Sequence, residues 1–327
     1  MHSGNIVYAS RVMQRVLELV DRFAPTPTPV LLLGPTGAGK EVLAHRVHEL
    51  SGRRGPLIDV NCAAIPSDLV EGELFGSRKG SFTGAVQERE GLIAAADGGT
   101  LFLDELTSLA PPAQAKLLRA LETHEIRQVG AVGKRQVDFR LVAAALDDLQ
   151  PAVSRGAFRL DLLQRASGVV IEVPALATRM DDVVPLARHF AARRGRTLRT
   201  SAESCLLTYH WPGNVRELRT AVERAGILCD EVALPAVAIV EAISLGGVRK
   251  TPFAPVARLV EVCRANGWQA GAAAQALGIS RATLFRRLKA AGVSLRGDGR
   301  LPGRAAGAGD AGGTDAEPSS VQASQQA

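Results

Sequence analysis

A glycine-rich segment between an apolar run and a helical pattern constrains the fold of this chain most. It reads Gly34-Pro-Thr-Gly-Ala-Gly-Lys40, after Val30–Leu33 and before a helical pattern from about Lys40 to Leu50. Glycines let backbone N–H groups approach phosphate oxygens closely, and a lysine at a helix N-terminus neutralises phosphate charge. The segment therefore predicts a phosphate-binding loop (P-loop) for ATP, with the nucleotide-binding residues Gly34, Pro35, Thr36, Gly37, Ala38, Gly39, Lys40 and Glu41.

An acidic pair after a second apolar run completes the expected nucleotide site. The run Thr100–Leu103 leads directly into Asp104 and Glu105. We expect Asp104 to hold Mg²⁺, directly or through water, and Glu105 to polarise the attacking water as a general base. Glu41 stands where many P-loops carry a Ser or Thr that ligates Mg²⁺. The alternative for the glycine-rich segment is a chance turn. The alternative for Asp104 and Glu105 is a solvated acidic pair at a strand end.

Alternating strand and helix patterns predict an α/β fold class. A first helix is expected over residues 5–23, and helical patterns dominate from about residue 181 to residue 243. Between these two regions, strand-like runs alternate with helical patterns such as 113–122. This alternation predicts a largely parallel sheet covered by helices on both faces. The strand-like runs are Val30–Leu33, Leu57–Val60, Thr100–Leu103 and Arg140–Ala145.

Composition and charge exclude several classes of protein. The 327 residues are 46% hydrophobic and 22% charged, which argues against a wholly disordered chain. Four scattered cysteines and the absence of a signal or membrane-spanning pattern predict reduced thiols in a soluble, cytoplasmic protein. His45 and His48 are assigned surface or packing roles. The net charge is +6, and the excess of Lys and Arg over residues 250–300 favours a polyanionic partner.

The basic C-terminal segment has the pattern of a helix-turn-helix. Residues 272–280 read as a helix, a glycine turn and a capping serine, and a basic helix follows with Ala282, Phe285 and Leu288 expected to face inward. In such motifs the second helix enters the major groove of double-stranded DNA. A generic helical hairpin with solvated arginines is the alternative. The predicted DNA-binding residues are Ser280, Arg281, Thr283, Arg286, Arg287 and Lys289, of which Thr283 and Arg287 are candidates for base contacts.

Four ordered motifs carry a resemblance to a known family. They are Glu73-Leu-Phe-Gly76 with Gly80-Ser-Phe-Thr-Gly-Ala85, Gly98-Gly-Thr-Leu-Phe-Leu-Asp-Glu105, Phe158-Arg-Leu-Asp-Leu-Leu-Gln-Arg165 and Trp211-Pro-Gly-Asn-Val-Arg-Glu-Leu218. Together they resemble the AAA+ domain of bacterial enhancer-binding proteins, the activators of sigma-54 RNA polymerase. The resemblance covers about residues 5–243, and residues 256–295 resemble the Fis-type domain common at the C-terminus of that family. The family's P-loop also carries Glu at the position of Glu41.

The resemblance implies roles for further residues. The loop formed by Gly80, Ser81, Phe82, Thr83, Gly84 and Ala85 would contact sigma-54. Arg159 and Arg165 would be arginine fingers for a neighbouring subunit, and an ordinary surface pair is the alternative. Arg216 would sense the γ-phosphate, with a salt bridge to Glu217 or Glu223 as the alternative. Asn61 would restrain Glu105, and a strand-end cap is the alternative.

Three departures from the family pattern affect the expected activity. Ser81 replaces the alanine that is most frequent in the contact loop. Ala145 and Leu146 stand where a Thr-Asn pair is usual in the sensor I region, so no polar side chain there would report the phosphate. Ala177 replaces an arginine. The last two changes put the rate of hydrolysis and its coupling to remodelling in question, and leave nucleotide binding intact.

The expected architecture is an AAA+ P-loop ATPase followed by a helical lid and a small all-α DNA-binding domain. The predicted divisions are 1–175 for the α/β subdomain with loop 80–85, 176–245 for the lid, 246–255 for a linker, 256–297 for the Fis-type helix-turn-helix and 298–327 for a disordered tail. We expect no receiver domain before Asn5 and therefore expect a trans-acting inhibitor or a companion activator to provide control.

The expected function is ATP-driven activation of sigma-54 RNA polymerase from upstream enhancer DNA by a ring, a homo- or hetero-oligomeric hexamer. The alternative function is a DNA-binding regulator with weak or no ATPase activity, acting in a mixed ring or independently of sigma-54. A third class, an AAA+ remodeller such as a helicase loader, shares the ATP site but gives no reason for the Phe82 loop.

Overall fold

The computed structural model of the protein contains a five-stranded parallel sheet at its centre. The structure describes residues 6–78, 88–146 and 148–246, and in the C-terminal part residues 262–263, 265–267, 269–277, 279–282 and 284–285. The strands are β1 (Val30–Leu33), β2 (Leu57–Asn61), β3 (Thr100–Asp104), β4 (Glu125–Ile126), β5 (Arg135–Gln136), β6 (Arg140–Ala145), β7 (Val169–Glu172), β8 (Thr197–Leu198) and β9 (Ala233–Leu234).

The central sheet has the strand order β2-β3-β6-β1-β7, and all its neighbouring strands are parallel. β4 pairs with β5, and β8 pairs with β9. The central position of β6 fits its sequence, because all six of its residues are buried. A strand buried on both faces needs a continuous run of apolar or small residues rather than an alternating pattern.

Helices cover both faces of this sheet and form a separate bundle after it. They are α1 (Arg11–Phe23), α2 (Lys40–Leu50), α3 (Val70–Phe75), α4 (Leu92–Ala95), α5 (Pro111–Thr123), α6 (Gln150–Ser154), α7 (Leu160–Ala166), α8 (Val183–Ala192), α9 (Thr200–Leu206), α10 (Asn214–Leu228) and α11 (Ala236–Ser244). A further helix, Ala270–Ala276, lies in the C-terminal part.

Alternate residues of the strands contribute to two cores, one on each side of the sheet. Leu101 and Leu103 of β3 pack with residues of α5 and α7, whereas Phe102 between them packs with residues of α1 and α2. A third core lies within the lid, around Trp211 and Leu218. Because a strand side chain at each successive position points to the opposite face, one strand serves both cores.

The structure confirms the predicted fold class and corrects two of its details. The four expected strand-like runs are strands, and the sheet is parallel with helices on both faces. The first helix begins at Arg11 and not near residue 5, because Ser10 caps it by accepting a hydrogen bond from the Met13 N–H at 3.2 Å. Strand β7 was not predicted. Its residues lie at the edge of the sheet, where Val170 is exposed.

Among the residues that the structure describes, there is no helix with the length and apolar character needed to cross a bilayer.

Candidate functional site

The P-loop connects β1 to α2 at the carboxyl edge of the parallel sheet. Gly39 caps the N-terminus of α2 with a left-handed backbone, φ 108°, which favours glycine. The Lys40 ammonium donates to the carbonyl oxygens of Gly34 at 2.6 Å and of Pro35 at 3.3 Å. A buried cation, backbone N–H groups and a helix N-terminus therefore meet in one loop, which is an arrangement suited to phosphate oxygens.

The predicted metal-binding and catalytic carboxylates lie at the end of β3. Asp104 is the register partner of Asn61 on β2, and one of its oxygens accepts the Glu105 N–H at 2.9 Å. Glu105 has a left-handed backbone with φ 53° and ψ 48°. A non-glycine residue in this region is strained, and such strain is concentrated at functional sites. Asp104 and Glu105 are therefore two consecutive acidic residues at the turn that follows β3.

The Asn61 side chain caps the short 3₁₀ turn that follows β2. Its oxygen accepts the N–H groups of Ala63 at 2.9 Å and of Ala64 at 3.2 Å. This is the alternative that the sequence left open for Asn61. Restraint of Glu105 by Asn61 stays a prediction.

The buried thiol of Cys62 follows Asn61 directly. Burial and the nearby charges of Asp104 and Glu105 raise its pKa to about 12. A thiol with this pKa carries almost no thiolate at neutral pH and is a poor nucleophile. Cys62 is therefore a packing residue beside the acidic pair.

The end of β6 brings an apolar residue against the start of the P-loop. Ala145 is the register partner of Leu33, and its carbonyl oxygen accepts the Gly34 N–H at 3.2 Å. Ala145 is buried and Leu146 is exposed. The strand end adjacent to the P-loop thus presents no polar side chain at either position, as their residue types require.

The two predicted arginine fingers lie at opposite ends of α7 and are both exposed. The Arg159 guanidinium bonds the Asp161 carboxylate at 2.7 and 3.0 Å, and its backbone N–H donates to the Gln114 side chain at 2.9 Å. Arg165 donates to the Leu121 carbonyl oxygen at 3.0 Å. An exposed ion pair is weak, so Arg159 can exchange Asp161 for another anion at little cost.

The Trp211–Leu218 motif forms a rigid turn at the start of α10. Trp211 is buried and donates to the Leu206 carbonyl oxygen at 3.0 Å. The Glu217 carboxylate accepts the Tyr209 hydroxyl at 2.9 Å and the Gly213 N–H at 2.8 Å. These contacts fix the direction in which α10 begins and therefore the position of the side chains in its first turn.

Arg216, in that first turn, is exposed and lines an open cleft between the P-loop and the lid. Glu217 bonds within the turn instead, and Glu223 pairs with Arg194 at 3.9 Å and with Arg219 at 3.6 Å. Neither salt bridge proposed as the alternative role of Arg216 is therefore present. The cleft has a volume of about 480 Å³, and its lining includes Thr36, Gly213, Arg216, Glu217, Thr220 and Arg224.

Two residues without a predicted role, Arg179 and Asn214, connect the lid directly to the P-loop. Arg179 donates to the Ala38 carbonyl oxygen at 2.5 Å, and the Asn214 side-chain amide donates to the Thr36 carbonyl oxygen at 3.0 Å. Asn214 follows Pro-Gly in sequence, which marks a turn, but the sequence does not indicate which backbone its side chain reaches.

The amino-acid sequence matches two families that agree with this geometry. Residues 6–172 match the sigma-54 interaction domain, and residues 177–251 match an AAA+ ATPase lid domain. The chain belongs to the sigma-54 interaction family.

Relatives and solved structures agree with this membership. The nitrogen fixation protein AnfA of Azotobacter vinelandii is 38% identical over 90% of this chain and 58% of its own length. The transcriptional regulatory protein ZraR of Escherichia coli is 40% identical over 86% of this chain and 68% of its own. The crystal structure of NtrX from Brucella abortus in complex with ADP matches with a TM-score of 0.69 and 30% identity, over 88% of this chain and 70% of that one. The chain thus spans little more than half the length of AnfA.

The loop expected to contact sigma-54, residues 80–85, lies outside the residues that the structure describes. The residues on each side of segment 79–87 form a small β ladder. The Ser77 N–H donates to the Arg89 carbonyl oxygen at 3.0 Å, and the Arg89 N–H donates to that of Ser77 at 2.9 Å. The Arg78 N–H donates to the Val129 carbonyl oxygen at 3.1 Å. The two ends of the segment are therefore held side by side.

Beside the nucleotide site, three potential metal ligands come together. Oxygen and nitrogen atoms of Glu41, His45 and Asp59 all lie within 4.8 Å of one another. Desolvation and the negative charge of Glu41 raise the pKa of Asp59. His48, on the same helix, contacts the Thr100 hydroxyl at 2.9 Å. His48 thus has the predicted packing role, and His45 belongs to a cluster whose donor set suits a divalent cation.

The DNA-binding prediction falls only partly on described residues. Ser280 and Arg281 are exposed, whereas Thr283, Arg286, Arg287, Leu288 and Lys289 lie outside the described residues. Leu284 is buried against the helix Ala270–Ala276. The prediction that Ala282 faces inward is wrong, because Ala282 is exposed and Leu284 fills the inward position. The helix-turn-helix itself stays a prediction.

Proposed function

We propose that this protein is an ATP-driven transcription activator that acts on sigma-54 RNA polymerase. One observation supports this proposal most: the P-loop and the pair Asp104–Glu105 lie at one edge of the sheet, and the lid's Arg216 lines the adjoining cleft. A phosphate cradle, acidic side chains and a cation from a second subdomain are the parts that phosphoryl transfer needs. The similar NtrX structure is a complex with ADP, which supports nucleotide binding by this chain.

Each group has a distinct proposed role in hydrolysis. Lys40 and the P-loop N–H groups bind the phosphates, and Asp104 holds Mg²⁺ through its carboxylate, a hard oxygen ligand that suits this ion. The ion neutralises charge on the phosphate oxygens when bound. Glu105 orients and deprotonates the attacking water. Arg216 contacts the γ-phosphate from the lid. This role is supported because Arg216 forms no salt bridge with Glu217 or Glu223.

Arg159 and Arg165 are proposed to act on the nucleotide of a neighbouring subunit in a hexameric ring. Both side chains are exposed at α7 and are held only by contacts that a phosphate can replace. An arginine supplied in trans stabilises the charge of the transition state and makes hydrolysis depend on assembly. Asn61 is proposed to restrain Glu105 after release from its capping contact.

The loop Gly80–Ala85 is proposed to contact sigma-54 through Phe82 and Thr83. The bridges of Ser77 with Arg89 and with Val129 support this role, because they join the residues that flank the loop to each other and to the body of the domain. Residues 256–297 are proposed to bind enhancer DNA. For the rest of the chain, the proposed divisions are the α/β subdomain (1–175), the lid (176–245), the linker (246–255) and the tail (298–327). The protein would act in the cytoplasm, under the control of a trans-acting inhibitor or a companion activator.

The second candidate function is a DNA-binding regulator with little ATPase activity. The apolar pair Ala145–Leu146 next to the P-loop favours it, because a polar side chain at this strand end would otherwise orient water. Such a protein would bind nucleotide and join a mixed ring as a passive subunit, or would act independently of sigma-54.

Two measurements on the purified chain test the proposal. We expect ATP turnover to rise cooperatively with protein concentration and to be lost in Glu105→Ala, which should still bind ATP. We also expect the wild type to retain sigma-54 on gel filtration with ADP–AlFx, and Phe82→Ala to lose it while keeping its ATPase. Flat background turnover would favour the passive regulator. Turnover without retention of sigma-54 would refute the contact loop.

A further inference from the structure

The lid binds consecutive carbonyl groups of the P-loop. The Asn214 side-chain amide donates to the Thr36 carbonyl oxygen at 3.0 Å. The backbone N–H groups of Val215 and Arg216 donate to the Gly37 carbonyl oxygen at 2.9 and 3.3 Å. The approach is so close that a Cβ on Gly37 would lie 2.5 Å from the Gly213 carbonyl oxygen. The first turn of α10 and the P-loop thus form one hydrogen-bonded unit.

A buried guanidinium binds the next carbonyl group along the loop. Arg179, 4% exposed, donates to the Ala38 carbonyl oxygen at 2.5 Å and to the Met13 sulfur at 3.0 Å. Asp182 lies 3.6 Å from the same guanidinium. Desolvation lowers the pKa of Arg179, and the charge of Asp182 opposes this shift. A buried charge is costly, and its contact with the loop carbonyl offsets part of that cost.

These contacts orient the loop for anion binding. The carbonyl and N–H of one planar peptide unit point in opposite directions. Holding the carbonyl groups of Thr36, Gly37 and Ala38 toward lid donors therefore turns the N–H groups of residues 37–39 away from those donors. One of them, the Ala38 N–H, bonds within the loop to the Pro35 carbonyl oxygen at 3.2 Å. Consecutive N–H groups on one side of a loop form a concave anion site.

We propose that Asn214 and Arg179 are positioning residues for nucleotide binding, which hold the P-loop in its anion-binding conformation from the lid. The proposal rests on the proposed function, because it assumes that the P-loop binds a nucleotide. Coupling between two sites is reciprocal. Bound nucleotide therefore strengthens the contacts between lid and loop, and loss of those contacts weakens nucleotide binding.

Asn214 offers a nearly isosteric variant, Asn214→Asp, that replaces the donor amide with a second, negatively charged oxygen. It is 3% exposed, its backbone is left-handed with φ 53°, and its side-chain oxygen accepts the Leu176 N–H at 2.8 Å. Asn214→Asp keeps the size, the tolerance of left-handed backbone and the acceptor for Leu176. It removes the donor and turns a second oxygen toward the Thr36 carbonyl oxygen. Arg179→Lys keeps the charge beside Asp182 and replaces the planar guanidinium, with its several N–H donors, by a single ammonium group.

Arg196 provides a matched control for the loss of a guanidinium. It donates to the carbonyl oxygens of Asp230, Glu231 and Gly226 at 2.9, 2.9 and 3.0 Å. All three acceptors lie within the lid. Arg196→Lys therefore removes the same kind of contact without touching the P-loop.

The experiment titrates a fluorescent ADP analogue into the full chain and its folded variants, with urea unfolding measured in parallel. We expect Asn214→Asp and Arg179→Lys each to weaken binding about tenfold, since each leaves a buried hydrogen-bonding group unpaired. Arg196→Lys should bind as the wild type does, and Lys40→Ala should lose binding. Hydrogen exchange at the Val215 and Arg216 amides should slow on ADP binding in the wild type and much less in Asn214→Asp.

The outcomes separate this proposal from the proposed function. Loss of binding in Lys40→Ala, with Asn214→Asp and Arg179→Lys within twofold of the wild type, would overturn the positioning role alone. A wild type that binds no ADP, or binds it equally well after Lys40→Ala, would overturn both proposals. A comparable loss in Arg196→Lys would reduce the effect to general lid stability and would also overturn the positioning role.

Discussion

At the scale of single residues, the nucleotide site contains groups whose surroundings modify their chemistry. Glu105 adopts a left-handed backbone, Lys40 folds onto the P-loop carbonyl groups, and Asp59 lies beside the like charge of Glu41. The strained backbone of Glu105 and the like charges of Asp59 and Glu41 cost stability locally. Such costs are concentrated where ATP and Mg²⁺ are proposed to bind, and ligand binding would offset them.

Asp59 provides a prediction about the dependence of stability on pH. Because its pKa is raised in the folded state, the folded protein binds more protons than the unfolded chain between the usual pKa of 3.8 and the raised value. The contribution of Asp59 to stability therefore falls as the pH rises through this window. Asp59→Asn removes the charge, so we expect a higher Tm than that of the wild type at pH 7.

Thermal unfolding at several pH values measures this effect. The difference in Tm should shrink toward zero as the pH falls below 3.8, where the wild-type carboxyl is protonated in both states. Glu49→Gln, at an exposed position near the end of α2, is the control and should shift Tm little. A lower Tm of Asp59→Asn at pH 7 would show that the carboxylate stabilises the fold.

At the scale of elements, one buried carboxylate joins the start of α1 to the start of α8. Asp182 is fully buried and accepts the backbone N–H groups of Ala9 at 2.6 Å and Ser10 at 2.7 Å, and the Ser10 hydroxyl at 2.9 Å. Arg179 lies beside it. The contacts explain why residues 9 and 10 precede the helix and do not extend it.

Asp182→Ala should lower the free energy of unfolding by about 3–5 kcal/mol, since it leaves a buried charge and several buried donors without an acceptor. Urea denaturation measures the change. Asp181→Ala, at the exposed neighbouring position, is the control and should change the free energy by less than about 0.5 kcal/mol. A loss for Asp182→Ala below about 1 kcal/mol would contradict the structural role.

Elements were predictable where a local pattern decides them. The glycines and lysine of the P-loop and the apolar runs of β1, β3 and β6 are readable from the sequence, because a strand buried on both faces must be apolar throughout. The start of α1 and strand β7 were not predictable. Both depend on partners distant in sequence: Asp182 holds the start of α1, and β1 pairs with β7.

At the scale of the whole molecule, the exposed arginines of α7 predict that the ATPase activity of one subunit depends on a neighbouring subunit. A Lys40→Ala subunit should lack nucleotide but keep Arg159, and an Arg159→Ala subunit should bind nucleotide without its finger. Each variant alone should have no ATPase activity. Mixed one to one, about one interface in four would combine an intact nucleotide site with an intact finger. We therefore expect the mixture to regain about a quarter of the wild-type turnover.

A mixture of Lys40→Ala with Glu105→Ala is the control, because each variant damages its own nucleotide site and no pairing of the two subunits contains an intact site. No turnover should return in that mixture. If the mixture with Arg159→Ala also stays inactive although both variants assemble, Arg159 does not act across the subunit interface.

The sequence by itself determined the α/β fold class, the P-loop, the acidic pair and the family, because these depend on residue type and local spacing. The tertiary structure decided how the parts meet. It directed Asn61 into a cap, left Arg216 without a salt bridge to Glu217 or Glu223, and joined Asn214 and Arg179 to the P-loop. Such contacts connect residues up to 178 positions apart. Their geometry depends on packing between subdomains, which no local pattern encodes.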